Sequence, residues 1–196
     1  MNGCACRITW EEHRWLQSNP DVLFKSFFRD SYAAYAAASE QNLIRLRKHL
    51  VRHAYEAIHA AKIYFPKSSG VLKPYTLLAV EDHIVYQAAV NVIAEKLTPV
   101  IKKRYFKNIF GHIYAGKSSQ FFYIQWQKGY RAYSNAIVTH VNDGYTYVAN
   151  FDLTSFYDTI DHSVLTYFLK DIQIDHELLD FFLSCLKTWT GVPPIL

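Results

Sequence analysis

Apolar residues at Leu43, Leu46, Leu50, Ala54, Ile58 and Ala61 recur every three or four positions, the spacing that lines one side of an α-helix. This predicts an amphipathic helix over residues 40–62, with Arg45, Lys48 and Arg52 on its solvated side. A second stripe, Ile84, Val85, Ala88, Val92 and Leu97, predicts a helix over 81–97. Pro99 is expected to end it, because proline has no N–H to continue the ladder. Between the two helices, residues 66–70 read as a loop and 71–79 as extended chain interrupted by Pro74. Upstream, Thr9-Trp10-Glu11-Glu12 has the form of a capping box and starts a helix that reaches Gln17, before Asn19-Pro20 breaks it. Downstream, Tyr145 to Phe151 is an apolar, β-prone run and predicts a strand. Residues 162–169 then read as a helix with Asp161 as its N-cap. Helices and extended segments of this kind, without an internal repeat, predict an α+β chain.

Composition narrows the class. The chain has 196 residues, of which 51% are apolar, enough to build a core in one or two domains. No run approaches 18 uninterrupted apolar residues, so no membrane partner is expected. The first residues lack a basic region followed by an apolar one, and no signal peptide is read there. Three cysteines are too few for a disulfide scaffold. Cys4 and Cys6 have no second ligand pair at zinc spacing, and reduced thiols in a cytoplasmic protein are expected. His49 and His53 stand at i, i+4, but the glutamate of a zincin does not follow His49, so no metal is assigned to them.

The net charge of +4 is modest, but the charges are unevenly placed. Between Glu95 and Asp143 there is no acidic residue. That stretch carries Lys96, Lys102, Lys103, Arg104, Lys107, Lys117, Lys128 and Arg131. It also carries Tyr105, Phe106, Phe110, Tyr114, Phe121, Phe122, Tyr123, Trp126, Tyr130 and Tyr133. Basic groups neutralise phosphates, and aromatic rings either stack on bases or pack a core. Most of these rings are expected in the core. Lys102, Lys103, Arg104, Lys107 and Lys117 are the candidate nucleic-acid contacts. From Asp152 onward the balance reverses, with seven acids against Lys170 and Lys187. A basic track beside an acidic segment suits an enzyme that holds nucleic acid next to a metal site.

Asp152 ends the β-prone run and opens the string Asp152-Leu153-Thr154-Ser155-Phe156-Tyr157-Asp158-Thr159-Ile160-Asp161-His162. A carboxylate at a strand end, followed by an aromatic pair and a helix start, is an arrangement that places a metal ligand rigidly. Phosphoryl transfer builds negative charge on attacking and leaving oxygens, and two divalent ions clamp both. Mg²⁺ takes oxygen ligands and keeps several waters, so it needs few carboxylates. Asp161 is read as a helix cap, and Asp158 as a turn residue holding its own backbone.

This string resembles the first catalytic motif of the palm in bacterial reverse transcriptases of the group II intron, retron and defence-associated types. Lys73-Pro74 followed by Val80-Glu81-Asp82-His83-Ile84-Val85-Tyr86-Gln87 is similar to their fingers pattern, with lysine and histidine at two positions where arginine is usual. Phe110-Gly111-His112-Ile113-Tyr114-Ala115-Gly116-Lys117-Ser118 resembles their aromatic-Gly-aromatic segment. Together these cover about residues 70–170. The resemblance implies Asp152 as the catalytic metal ligand and a backbone carbonyl from Leu153 toward a second of two Mg²⁺ ions. It implies Tyr157 as a ring that excludes a ribose 2′-hydroxyl, with Phe156 in the core, and Lys73 as a triphosphate contact. The family's second carboxylates come from a Tyr-x-Asp-Asp hairpin, and no Asp-Asp dipeptide occurs in this sequence. Gly191-Val192-Pro193 begins like the family's next motif, Gly-x-Pro-Gln-Gly, and then departs from it at Pro194 and Ile195.

The expectation is therefore an N-terminal helical region over 1–65, fingers over 66–142, and a partial palm over 143–196 carrying the first strand and its helices. The expected function is RNA-directed DNA synthesis by the complete protein, with an RNA template, a DNA primer or product and dNTPs as partners, and antiviral defence as the setting. The fragment alone is expected to be inactive. The alternative is a non-catalytic nucleic-acid-binding scaffold derived from a polymerase domain.

Overall fold

The computed structural model describes residues 22–66, 70–153 and 156–191. The capping box at Thr9, Cys4 and Cys6, and the motif beyond Gly191 lie outside them. The described residues form helices α1 (Val22–Ala37) and α2 (Ser39–Val51), strands β1 (Ala61–Pro66) and β2 (Leu72–Leu77), and helix α3 (Val80–Ile101). Helices α4 (Trp126–Asn142), α5 (His162–Asp171) and α6 (His176–Thr190) follow, with short 3-10 turns at Lys102–Arg104 and Phe156–Thr159. The mixture of helices with a small antiparallel sheet is α+β, as the sequence pattern predicts. No helix among the described residues is long and apolar enough to cross a membrane.

Two compact units divide the chain. Among the described residues, one comprises 22–90 and 175–191, and the other lies within Asn91–Ile174.

In the first unit, α2 buries Leu43 and Leu46 as the stripe predicts, but it stops at Val51 rather than continuing to residue 62. His53 turns into the left-handed region at φ 54°. Its N–H then donates to the Leu50 carbonyl at 3.1 Å, and the Ala54 N–H donates to the His49 carbonyl at 2.9 Å. This is the paired bonding of a Schellman helix end. The periodic pattern beyond it is overridden by tertiary contacts. Asp82 is 1% exposed and accepts hydrogen bonds from the Tyr55 hydroxyl and, at 3.4 Å, the Ile58 N–H. Ala60 is buried and Ala61 pairs with Leu77, so residues 54–60 form an irregular strap instead of two more helical turns.

Strands β1 and β2 make a hairpin in which Ala61 faces Leu77 and Pro66 faces Leu72. The strand runs through Pro74, where the sequence predicts an interruption. A two-stranded sheet has only edge strands, so an outward ladder position is always open and needs no N–H. Phe65 and Tyr75 meet edge to face at 5.4 Å across the hairpin.

Helix α3 buries Val80, Asp82, Ile84, Val85, Gln87, Ala88 and Ala89, and no position past Val90 is buried. It continues through Pro99, where the sequence predicts an end. The proline sits in the last turn, so only the Glu95 carbonyl, four residues back, loses its N–H donor and few turns follow to be disturbed. The Thr98 hydroxyl donates to the Ala94 carbonyl at 2.6 Å beside it.

Helix α6 closes this core with Leu179, Phe182, Cys185 and Trp189, a three-and-four spacing that lines one side. Its N-terminus is capped by Asp175, which accepts from the Glu177 and Leu178 N–H groups at 3.0 and 3.2 Å. Tyr55 packs on Phe181, while Tyr86 packs on Phe182 and Trp189. Cys185 is free, and burial pushes its thiol up to about 12.

The second unit is built differently. Among its described side chains, Ile113, Leu169 and Ile174 are the buried apolar ones. Its main helix, α4, is held close by Gly129. A methyl group there would fall 1.9 Å from the Phe110 carbonyl oxygen, so only glycine permits this approach of helix to loop. Phe110 also meets Tyr133 of α4 edge to face at 5.7 Å.

Candidate nucleic-acid interface and the Asp152 segment

The basic cluster follows α3 directly. Lys102, Lys103 and Arg104 form a 3-10 turn, and all three side chains are exposed. The Arg104 carbonyl accepts from the N–H groups of Lys107, Asn108 and Ile109 at 3.0–3.1 Å. The Phe106 N–H donates to Ile109, with Phe106 itself in the left-handed region at φ 58°. Backbone bonding therefore closes residues 102–109 into a tight loop that needs none of its cationic heads. Lys107 is exposed on the same loop.

Residues 113–124 continue as a second closed loop. The Ile124 N–H donates to Ile113 at 2.8 Å and the Ala115 N–H to Phe122 at 2.9 Å. Ile113 anchors it in the core at 3% exposure, and Lys117 stands at its tip. Lys117 meets Glu95 at 3.5 Å, a pair with both partners open to solvent. Such a pair is weak enough to be exchanged for a phosphate.

The aromatic residues of this segment are not the core that the composition suggests. Phe106, Phe121, Tyr123, Trp126, Tyr130 and Tyr133 are exposed, and Tyr105, Phe110, Tyr114 and Phe122 are half-buried. The reason is architectural. Gly129 brings the α4 backbone against the Phe110 loop, and Ala132 and Ala136, half-buried, lie on the same side. Small residues fill that contact and Tyr133 reaches Phe110 beside it, while Trp126 and Tyr130 of the same helix lie outward.

Residues 145–153 have no regular secondary structure and pair with no strand among the described residues. The predicted strand is therefore not formed here, for lack of a ladder partner. Its apolar side chains face solvent, with Tyr147 96% and Phe151 90% exposed. Asp152 is exposed, and so is Leu153. The short turn Phe156–Thr159 follows. Tyr157 is 78% exposed, and Phe156, expected in the core, is 49% exposed and packs edge to face on Tyr157 at 5.4 Å. Asp161 caps α5, as its position predicts, accepting from the Ser163 N–H at 2.6 Å. Hydrogen bonds from the Ser163 side chain and backbone hold the Asp161 carboxyl below its usual range.

Lys73 lies in β2, opposite Phe65 in the register, and its side chain is outside the described ones. Asp82 and His83, in the segment compared with the fingers pattern, belong to the core of the first unit. The Tyr32 hydroxyl lies 2.8 Å from His83 Nδ1, and burial pushes the imidazole down to about 4. Burial, then the hydrogen bond to Asp82, pushes the Tyr55 phenol far above its usual range. Nothing in the sequence spacing marks Tyr55 as the partner of Asp82, since the two are 27 positions apart.

Lys102, Lys103, Arg104, Lys107 and Lys117 all fall in the second unit, as do Asp152, Leu153 and Tyr157, whereas Lys73 falls in the first. Among the described residues, no three His, Cys, Asp or Glu side chains gather as a metal-holding group. One exposed carboxylate and a neighbouring carbonyl do not make a closed magnesium site. No protein-family model matches this chain, and no curated protein matches it significantly.

Proposed function

We propose that this chain is the fingers and the beginning of the palm of an RNA-directed DNA polymerase. The observation that carries the reading is the order of elements around Asp152. An irregular segment of β-prone residues leads to the carboxylate, a short turn carries the aromatic pair, and the Asp161-capped helix follows. In this reading Asp152 supplies a carboxylate, and Leu153 a carbonyl, to magnesium. The remaining ligands come from residues other than those described. Magnesium would neutralise charge on the oxygens of phosphoryl transfer. Tyr157 would close the sugar pocket against a 2′-hydroxyl, and Lys73 would meet a triphosphate as a point charge. The basic loops at Lys102–Lys107 and Lys117 would hold the template and primer.

The test is primer extension on an RNA template by the complete protein and its Asp152→Asn variant. Asparagine keeps the shape and removes the charge. We expect synthesis to fall by far more than tenfold, with an unchanged melting temperature because Asp152 is exposed. Activity within tenfold of the parent removes Asp152 as a ligand. The 196-residue chain by itself is expected to extend nothing.

A second reading, a non-catalytic nucleic-acid scaffold, is favoured by the lack of a metal-holding cluster among the described residues. It predicts that Asp152→Asn changes neither binding nor any activity, while charge reversal in the basic loops abolishes binding.

A further inference from the structure

Helix α4 carries Trp126, Tyr130 and Tyr133 at i, i+4 and i+7, which places three rings on one stripe. Tyr133 is tied down through Phe110. Trp126 and Tyr130 touch each other edge to face at 6.3 Å and are 72% and 62% exposed, so most of their ring surface faces solvent. Exposed apolar rings in a row mark a binding surface.

Charge selects the occupant. No acidic residue stands between Glu95 and Asp143, and Lys128 and Arg131 are exposed on the same helix. The loop with Lys102, Lys103, Arg104 and Lys107 ends one residue before Phe110, which packs under α4 at Gly129. Rings that offer flat faces beside an uncompensated cationic surface match a polyanion that offers flat faces in return. A duplex hides its base faces in the stack, whereas an unpaired strand presents them.

We infer that the Trp126–Tyr130 stripe of α4 is a stacking platform for unpaired nucleic acid, distinct in role from the basic loops that hold phosphates. The inference rests on the nucleic-acid reading of this unit and assigns its preference for single strands to two named rings. Phosphate contacts fix the strand, and the rings decide whether it is single or paired.

The test uses the 196-residue chain with a fluorescein-labelled oligouridylate and a blunt duplex of equal length. The parent should bind the single strand more tightly. The variant Trp126→Ala/Tyr130→Ala should lose roughly tenfold or more in affinity for the single strand, the scale of losing stacked bases. Its duplex affinity and its salt slope should stay as in the parent. Trp126→Phe/Tyr130→Phe keeps the rings and should retain most of the affinity. Circular dichroism and melting of both variants should match the parent, because the side chains are exposed. If the parent binds the single strand and the double alanine variant binds it equally well, or if the parent prefers the duplex, the platform is wrong while the nucleic-acid reading stands. If the parent binds neither probe, the nucleic-acid reading falls, and the platform with it.

Discussion

The two units of this chain spend their apolar residues in opposite ways. The first encloses Leu46, Ile84, Val85, Leu179, Phe182 and Trp189, and it ties an irregular strap to α3 through a buried carboxylate. The second buries Ile113, Leu169 and Ile174 and displays Trp126, Tyr130, Tyr147, Phe151 and Tyr157. Phe182 and Trp189 are core in the first unit, whereas Trp126 and Phe151 are surface in the second. Acid-free charge accompanies only the open unit, where Lys102, Lys103, Arg104 and Lys107 decorate a loop held by its own backbone. On the reading proposed above, the difference separates a scaffold from a surface that meets a partner.

The largest effect should come from the buried carboxylate. Asp82→Ala removes the acceptor of the half-buried Tyr55 hydroxyl and of the Ile58 N–H, two hydrogen bonds to one carboxylate, and should cost about 3–5 kcal/mol in urea denaturation. Leu46→Ala, at a fully enclosed site, should cost about 2–5 kcal/mol. A cost near zero for both would show that the first unit is not the tighter one.

The next effect is a pH dependence of the first unit. His83 has its ionisation lowered from about 6.5 to about 4 by burial, so the folded state resists protonation that the unfolded chain accepts. The stability it contributes is fully present above about pH 6.5 and is lost as pH falls toward 4. The loss should reach roughly 3 kcal/mol at most. His83→Leu should flatten that part of the profile, and an unchanged profile would assign the acid sensitivity elsewhere.

In the second unit, Gly129→Ala drives a methyl group into the Phe110 carbonyl and should cost about 1–3 kcal/mol. Hydrogen exchange should rise across residues 91–174 and stay unchanged in α2 and α6. By contrast, Phe151→Ser at a 90% exposed site should change stability by less than about 0.5 kcal/mol. A larger loss there would mean that the ring is covered in solution.

Periodicity made α2, β2, α3 and the Asp161 cap legible, because each is set by local spacing or a single side chain. The end of α2 was not legible. Residues 54–61 keep a helical pattern, and contacts distant in sequence, the Asp82 carboxylate and the pairing of Ala61 with Leu77, hold them out of the helix. The helix runs through Pro99 because the proline falls in a terminal turn, a position that composition does not reveal. The strand at residues 145–151 illustrates the reverse case. Its β-prone residues are there, but a strand is a pairwise object and no partner stands among the described residues. At the candidate interface, charge asymmetry was plain in the sequence. The exposure of Trp126 and Tyr130 was not, because it depends on which side of α4 Gly129 brings against the Phe110 loop.

The most direct measurement compares charge reversal in the two units. Lys102, Lys103 and Arg104 are changed to Glu in one variant, and Arg47, Lys48 and Arg52, exposed on and just past α2, in another. Arg45 is left in place because it pairs with Glu81 at 3.0 Å. A labelled single strand is titrated at several salt concentrations. The parent should show a slope of log K against log salt of about −2 to −3, from three or four phosphate contacts. Reversal in the second unit should weaken binding by more than about tenfold and flatten the slope, while reversal in the first should leave both nearly unchanged. Equal losses from the two variants, or binding indifferent to salt, would contradict the assignment of the open unit as the nucleic-acid surface.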